Sequence, residues 1–113
     1  VLHPALPESP GHPYWHALCA PGPGSAAAIF SVIVAEQFGQ DAVDAFCDAL
    51  RLFKLGYSWA GPTSLAVPYT LSEMRTQWPA HLRRGTLVRF SIGLEEVADL
   101  QADLAQALQL ALR

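Results

Sequence analysis

Arg89 is the single charged residue in the run Thr86–Leu94, which is rich in β-branched, aromatic and long aliphatic side chains. Such a run, with Gly85 before it and Gly93 near its end, is typical of a buried strand. A charged side chain is rarely buried unless an anion compensates its charge, and the planar fork of arginine binds a carboxylate through two parallel hydrogen bonds. We therefore expect Arg89 to bind an anion, supplied either by the protein in a structural salt bridge or by a carboxylate ligand.

Alternation along this strand separates Arg89 from the core. One face is wholly apolar and should lie on the core; it consists of Val88, Phe90 and Ile92. The opposite face carries Leu87, Arg89 and Ser91. Arg89 and Ser91 should therefore point towards a more polar place, such as a cleft. Residue types alone do not choose between the salt bridge and the ligand.

Two histidines and a cysteine have the residue types of a metal site. His12 and His16 are four residues apart, which would place them on one helical face, and Cys19 is near. Zinc needs three or four ligands at a defined spacing, and the acidic partner of an HExxH motif is missing. We expect a surface or capping role for these histidines rather than a metal site.

Other candidates for chemistry have equally plain structural interpretations. Ser58, Ser64 and Ser91 lie in predicted extended segments, but no GxSxG elbow accompanies them. The Pro-Gly-rich segment 21–25 lacks the amides that a phosphate needs, so we expect a linker. Lys54 is the sole lysine and directly follows a predicted helix, where a cation suits the negative end of the helix dipole. We expect it to be structural rather than a Schiff-base lysine.

Length and composition indicate one globular domain over residues 1–113. Residues 1–24 contain six of the nine prolines and should form an extended N-terminal segment with one short helix near Pro13. The chain is 51% hydrophobic and only 15% charged, which excludes the disordered class. This apolar surplus predicts that another domain or chain covers part of the surface.

Charge and cysteine content narrow the possible partners and compartment. The net charge is −3 and no basic cluster exceeds Arg83-Arg84, so the charge pattern argues against a nucleic-acid partner. No apolar run approaches the roughly 20 residues of a membrane span. Two cysteines are too few for a disulfide framework, and Cys47 should be a small buried side chain. We expect a cytoplasmic protein and, because the chain starts at Val1 without a signal-like segment, a piece of a longer polypeptide.

Hydrophobic periodicity predicts an α+β fold, with helices covering one face of a mostly antiparallel sheet of about four strands. The strand over Ala28–Glu36 is apolar on both faces and should be an interior strand. The remaining predicted elements are a helix at Asp41–Phe53, extended pieces at Leu55–Gly61 and Ser64–Pro68, a short helix and loop at Ser72–Leu82, the Arg89 strand, and a helix at Glu95–Leu112.

Each long helix has a predicted buried stripe. In the first it consists of Val43, Phe46, Cys47, Leu50 and Phe53, and Gly56 should stop that helix. In the second it consists of Val97, Leu100, Leu104, Leu108 and Ala111.

A family resemblance extends over essentially the whole chain in unbroken order. Its residues are Val1–Pro7, Gly11-His12, Trp15, Phe53, Gly56–Gly61, Ser64-Leu65 and Leu87–Leu100. Together they resemble the C-terminal domain of the Cys/Met-metabolism family of pyridoxal-phosphate (PLP) enzymes. The Tyr57-Ser58-Trp59 segment is similar to the cystathionine β-lyase branch.

The resemblance implies the small C-terminal domain of a fold-type I PLP enzyme of methionine biosynthesis. The full-length enzyme would be a carbon–sulfur lyase that converts cystathionine to homocysteine, pyruvate and ammonia. By resemblance, Arg89 binds the substrate α-carboxylate, Ser58 and Trp59 lie beside that carboxylate and the catalytic lysine, and Tyr57 borders the site.

The resemblance also implies that the cofactor lysine and phosphate-binding residues belong to an upstream large domain. The isolated chain should then be inactive, and the full-length enzyme should be a tetramer. Thr63 departs from the family's usual glutamate, which bears on loop structure and substrate preference. Two alternatives stay open: a γ-synthase or γ-lyase relative, and a non-catalytic amino-acid-binding or interaction module.

Overall fold

The computed structural model describes residues 1–19 and 26–112. The predicted linker at 21–25 lies outside these residues. Along the described chain the elements are α1 (His12–Cys19), β1 (Ile29–Ala35), a 3-10 turn (Glu36–Phe38), α2 (Gly39–Ala49), β2 (Lys54–Leu55), β3 (Leu65–Tyr69), α3 (Leu71–Met74), β4 (Gly85–Ser91) and α4 (Val97–Ala111). The predicted order of helices and strands is confirmed.

The four strands form one mixed sheet in the order β1-β4-β3-β2. Strand β4 is antiparallel to both of its neighbours, whereas β2 runs parallel to β3. Buried side chains of α2 and α4 pack together against one face of this sheet. The predicted α+β architecture, a mostly antiparallel sheet with helices on one face, is therefore confirmed.

Strand β1 is an edge strand, so its predicted interior position is wrong. Among the described residues, Leu2 alone pairs with its outer edge: the Leu2 amide donates to the Ser31 carbonyl at 2.6 Å, and the Ser31 amide donates to the Leu2 carbonyl at 3.2 Å. Phe30 packs on the core, where its ring stacks with that of Phe90 at 5.2 Å, and Ile33 on the other face is half-buried. An edge strand whose two faces are both partly covered has the same apolar pattern as an interior strand.

The core is centred on Phe90 of β4. Its ring meets the edges of Phe46 at 6.5 Å and Phe53 at 5.4 Å. All five residues of the buried stripe predicted for the first long helix are buried, three of them in α2 and two, Leu50 and Phe53, just after it. Full burial of one such side chain stabilises the fold by about 1.5–3 kcal/mol. The aromatic cluster thus fixes which face of β4 is turned inward.

Helix α2 ends at Ala49, earlier than predicted, and Gly56 does not stop it. Leu50 is already extended, with φ −67° and ψ 135°. The following amides donate to the buried carboxylate of Asp103 in α4, from Arg51 at 2.9 and 3.1 Å, Leu52 at 2.8 Å and Phe53 at 3.3 Å. A side chain some fifty residues away in sequence therefore ends the helix.

Lys54 does not directly follow a helix, because it lies in β2. Its Nζ donates to the Arg51 carbonyl at 2.7 Å, within the segment that Asp103 holds. Lys54 therefore stabilises the loop after α2 rather than the end of the helix itself.

The predicted buried stripe of α4 is partly wrong. Val97 and Leu108 are 66% and 45% exposed, whereas Asp103 and Ala107 are buried. Asp103 can reach the amides after α2 only if this face of α4 is turned inward, and that rotation carries Val97 and Leu108 into solvent.

Short segments surround the sheet. The described part of the N-terminal segment, residues 1–19, is not extended as predicted: residues 3 to 12 form successive turns, in which the amides of Leu6, Ser9 and His12 each donate to the carbonyl three residues earlier. Helix α1 follows, with Pro13 in its first turn as predicted. Helix α3 ends at Met74 and the remainder of the predicted helix and loop is irregular. Across residues 1–19 and 26–112, no helix combines the length and apolar content needed to cross a membrane.

Candidate functional site

Arg89 lies at the centre of the sheet, between Ser31 of β1 and Val67 of β3. Val88 and Phe90 on either side of it are buried in the core, so Arg89 points to the face of the sheet opposite α2 and α4. Its side chain is half-buried. The predicted assignment of faces in this strand is confirmed.

The guanidinium of Arg89 is held by backbone oxygens rather than by an acid. Its Nη2 donates to the carbonyls of Tyr57 and, at 3.4 Å, Ser58. Its Cζ lies 5.8 Å from the centre of the Tyr69 ring, which attracts the cation weakly. Among the described residues, Nε is buried without a hydrogen-bond partner and no carboxylate bonds the guanidinium. Arg89 is therefore oriented while its charge stays available for an anion.

A loop over residues 56–63 lies against Arg89. The Gly56 amide donates to the Ala66 carbonyl at 3.3 Å, and the Ala60 amide donates to Ser91 Oγ at 3.3 Å. Ala60 adopts a left-handed conformation, with φ 59°, where a non-glycine residue is uncommon. The backbone of the loop is thus tied to β3 and β4.

The side chains of this loop are open to solvent. Tyr57 is 74% exposed and Trp59 61% exposed. The Tyr57 ring meets the edge of the Tyr69 ring at 6.2 Å, and Ser58 is exposed. The structure therefore brings Tyr57 and Ser58 together with Arg89 through their carbonyls, and places Trp59 on the same loop. A groove of about 550 Å³ passes Tyr57, between the start of the loop and α2.

Glu95 lies beside the loop, and the sequence pattern did not predict a role for it at the site. Its carboxylate accepts from the Ser64 amide at 2.8 Å and from the Ser64 hydroxyl at 2.7 Å, and these bonds lower the pKa of Glu95. Ser64 Oγ in turn accepts from the Gly93 amide at 2.8 Å. The pairing of Leu65 with Ser91 brings these groups together, and that register is not visible in the sequence.

The histidines and serines considered in the sequence analysis lie in the following positions. His12 shares a hydrogen bond with the Pro4 carbonyl at 3.0 Å, and its ring lies 5.9 Å from that of His16. Within the part of the chain that the structure describes, no group of three or more metal-ligating side chains is close enough to hold an ion. Ser58 and Ser64 lie outside the strands, contrary to prediction, whereas Ser91 ends β4.

Known proteins resemble this chain in both sequence and structure. A family model described as Cys/Met metabolism PLP-dependent enzyme matches residues 1–109. A putative cystathionine β-lyase of Rhizobium johnstonii is 43% identical over 107 residues, covering 92% of this chain and 26% of the relative. A cystathionine γ-synthase of Mycobacterium tuberculosis is 36% identical over 109 residues, covering 96% and 26%. The crystal structure of metB from Corynebacterium glutamicum matches with a TM-score of 0.71 at 32% identity, covering 96% of this chain and 27% of that one.

The mixed sheet with helices on one face is the small domain of a fold-type I PLP enzyme. The chain belongs to the Cys/Met metabolism family of PLP-dependent enzymes. The family resemblance is therefore confirmed, and the chain spans 26% of the length of the curated relatives named above.

Within residues 1–19 and 26–112, the side chains do not form a site for the cofactor. A Schiff-base lysine needs a depressed pKa, which desolvation or a neighbouring cation provides. Lys54 is the sole lysine, and it is exposed and bound to the Arg51 carbonyl. Lys54 therefore lacks the surroundings of a Schiff-base lysine.

Proposed function

We propose that this chain is the substrate-binding C-terminal part of a PLP-dependent carbon–sulfur lyase that cleaves cystathionine to homocysteine, pyruvate and ammonia. The observation that carries the proposal is the guanidinium of Arg89, which backbone carbonyls orient and no described carboxylate neutralises. An amino-acid substrate brings such a carboxylate. The remaining three-quarters of the polypeptide would supply the cofactor lysine and phosphate site.

In this proposal Arg89 binds the α-carboxylate and so fixes the position of the substrate Cα. Because Nη2 already donates to the carbonyls of Tyr57 and Ser58, the hydrogens of Nη1 are the donors that a carboxylate would meet. Ser58 and Trp59 border the carboxylate, and Tyr57 closes one side of the site. Positioning of this kind contributes to catalysis by converting a loosely bound reactant into an oriented one.

Replacing Arg89 in the full-length protein tests the proposal. We expect Arg89→Ala to lower kcat/KM for cystathionine by about 100-fold, and Arg89→Lys by about tenfold because lysine keeps the charge but not the fork. Pyruvate release is followed with a coupled dehydrogenase assay. Arg75→Ala, at an exposed arginine after α3, is the matched control and should stay within about twofold. An Arg89→Ala enzyme with unchanged kcat/KM would refute the proposal.

The γ-synthase relative supports a second candidate, a γ-acting enzyme on the same scaffold. The product decides between them, since β-elimination releases pyruvate and γ-elimination releases 2-oxobutyrate. Binding of cystathionine by titration calorimetry without either product would instead indicate a non-catalytic amino-acid-binding module. We expect pyruvate, in keeping with the higher identity to the β-lyase relative.

A further inference from the structure

We propose that Glu95 is a positioning residue that acts on Arg89 through Ser64 and the loop over residues 56–63. The inference rests on the proposed function, because it concerns how the carboxylate-binding guanidinium is held. Among the described residues, no hydrogen bond joins Glu95 to Arg89 directly. The effect of Glu95 passes along a series of hydrogen bonds and backbone contacts.

The first part of this chain joins Glu95 to Ser64. Both carboxylate oxygens are used, Oε1 by the Ser64 amide and Oε2 by the Ser64 hydroxyl. Hydrogen bonds to an ionised acceptor are about twice as strong as neutral ones. Ser64 is fully buried, and its Oγ also accepts from the Gly93 amide. Glu95 therefore fixes the residue at which the loop enters β3.

The second part brings the loop against the turn after β4. The Leu94 amide donates to the Pro62 carbonyl at 2.8 Å. A Cβ on Gly93 would collide with that carbonyl oxygen and would lie 2.7 Å from Glu95 Oε2. The two backbones approach so closely that only glycine fits, and the contact places Pro62 relative to β4.

The third part reaches Arg89. The carbonyls of Tyr57 and Ser58 accept from Nη2, and the Ala60 amide donates to Ser91 Oγ. Glu95 thus holds one end of the loop, and the other end holds the guanidinium. A displacement of about 1 Å in such a positioning segment can cost up to about 100-fold in rate.

Glu95→Gln in the full-length protein tests the inference. It removes the charge and turns an amide group towards the Ser64 hydroxyl. We expect amide hydrogens of the loop peptide 57–64 to exchange about tenfold faster, and KM for cystathionine to rise about tenfold with kcat changed less than about threefold. Glu96→Gln is the matched control at an exposed neighbour and should change neither quantity. Ser64→Ala removes the hydroxyl but keeps the hydrogen bond from the backbone amide of residue 64 to Glu95. We expect it to change exchange and KM in the same direction, and it serves as a second test if Glu95→Gln fails to fold.

Combination with Arg89→Ala distinguishes positioning from general destabilisation. If Glu95 acts through Arg89, Glu95→Gln should lower kcat/KM by less than about twofold in the Arg89→Ala background. An equal effect in both backgrounds, or an unchanged KM in a folded Glu95→Gln enzyme, overturns the inference alone. Unchanged turnover by Arg89→Ala itself overturns the proposed function and, with it, the inference.

Discussion

Two charged side chains that lie away from open solvent, Arg89 and Asp103, have opposite surroundings. Asp103 is buried and accepts from three successive amides and from Gln106 Nε2 at 3.1 Å. Arg89 is half-buried, and Nη2 is its only nitrogen that bonds a described residue. Saturated bonding is typical of a structural charge, whereas the spare donors of Arg89 support the carboxylate-binding role proposed for it.

Asp103→Asn should destabilise the fold and reduce its sensitivity to acid. Burial alone would raise the pKa of Asp103, but the hydrogen bonds from Arg51, Leu52, Phe53 and Gln106 outweigh burial and lower it. Its contribution is therefore complete above the unfolded pKa of about 3.9 and is lost as pH falls through the lower folded value.

We expect the variant to lose about 2–3 kcal/mol near pH 7 and to show a shallower loss of stability below about pH 4. Urea denaturation at a series of pH values measures both effects. Asp48→Asn, at an exposed position of α2, should stay within about 0.5 kcal/mol of the unmodified protein. Equal behaviour of the two variants would contradict the structural role of Asp103.

At the scale of elements, local patterns were sufficient for some features and not for others. Periodicity correctly assigned the buried residues Val43, Phe46 and Cys47 of α2 and the inward face of β4, because each set lies within one element. The end of α2, the rotation of α4 and the edge position of β1 depend on Asp103 and on strand order, which join distant parts of the chain. The same holds for the site: Arg89 has a local signal, whereas Glu95 and Ser64 meet only through the register of β3 with β4.

Gly93→Ala tests the close crossing of the loop and the turn after β4. The new methyl group would overlap the Pro62 carbonyl, and we expect a loss of about 1–3 kcal/mol of stability. Gly61→Ala is the matched control, because a methyl group added there would meet nothing within 4 Å, and should cost less than about 0.5 kcal/mol. Urea denaturation compares the two, and a Gly93→Ala protein as stable as Gly61→Ala would show that the loop gives way freely.

At the scale of the whole molecule, the sheet has one face packed by α2 and α4 and another that carries Arg89. On that second face, residues such as Ile29, Ile33, Leu65 and Leu87 are half-buried, and Trp59 lies exposed on the loop beside Arg89. We propose that the large PLP-binding domain of the same polypeptide covers this face, and that the full-length enzyme assembles as a homotetramer.

The isolated chain should have no lyase activity. Its sole lysine is engaged by the Arg51 carbonyl, and the chain spans 26% of its curated relatives. Purified chain mixed with pyridoxal phosphate and cystathionine should release no pyruvate and show no visible absorbance band from a bound cofactor. The full-length protein is the positive control, and turnover by the chain alone would contradict the division of the site between two parts of the polypeptide.

The central position of β4 has a consequence for synthesis of the protein. Strands β1 and β3 both pair with β4, and Ile29 and Leu65 have the same partner, Ser91. Neither strand can form these pairs before β4 has been synthesised. Until β4 leaves the ribosome, the apolar strand β1 has no main-chain partner along its length within the described sheet. Non-local pairing of this kind slows folding and leaves strand edges open to aggregation. The chain therefore depends on its last quarter to pair its first strand, and we expect a nascent chain halted before β4 to leave β1 open to aggregation.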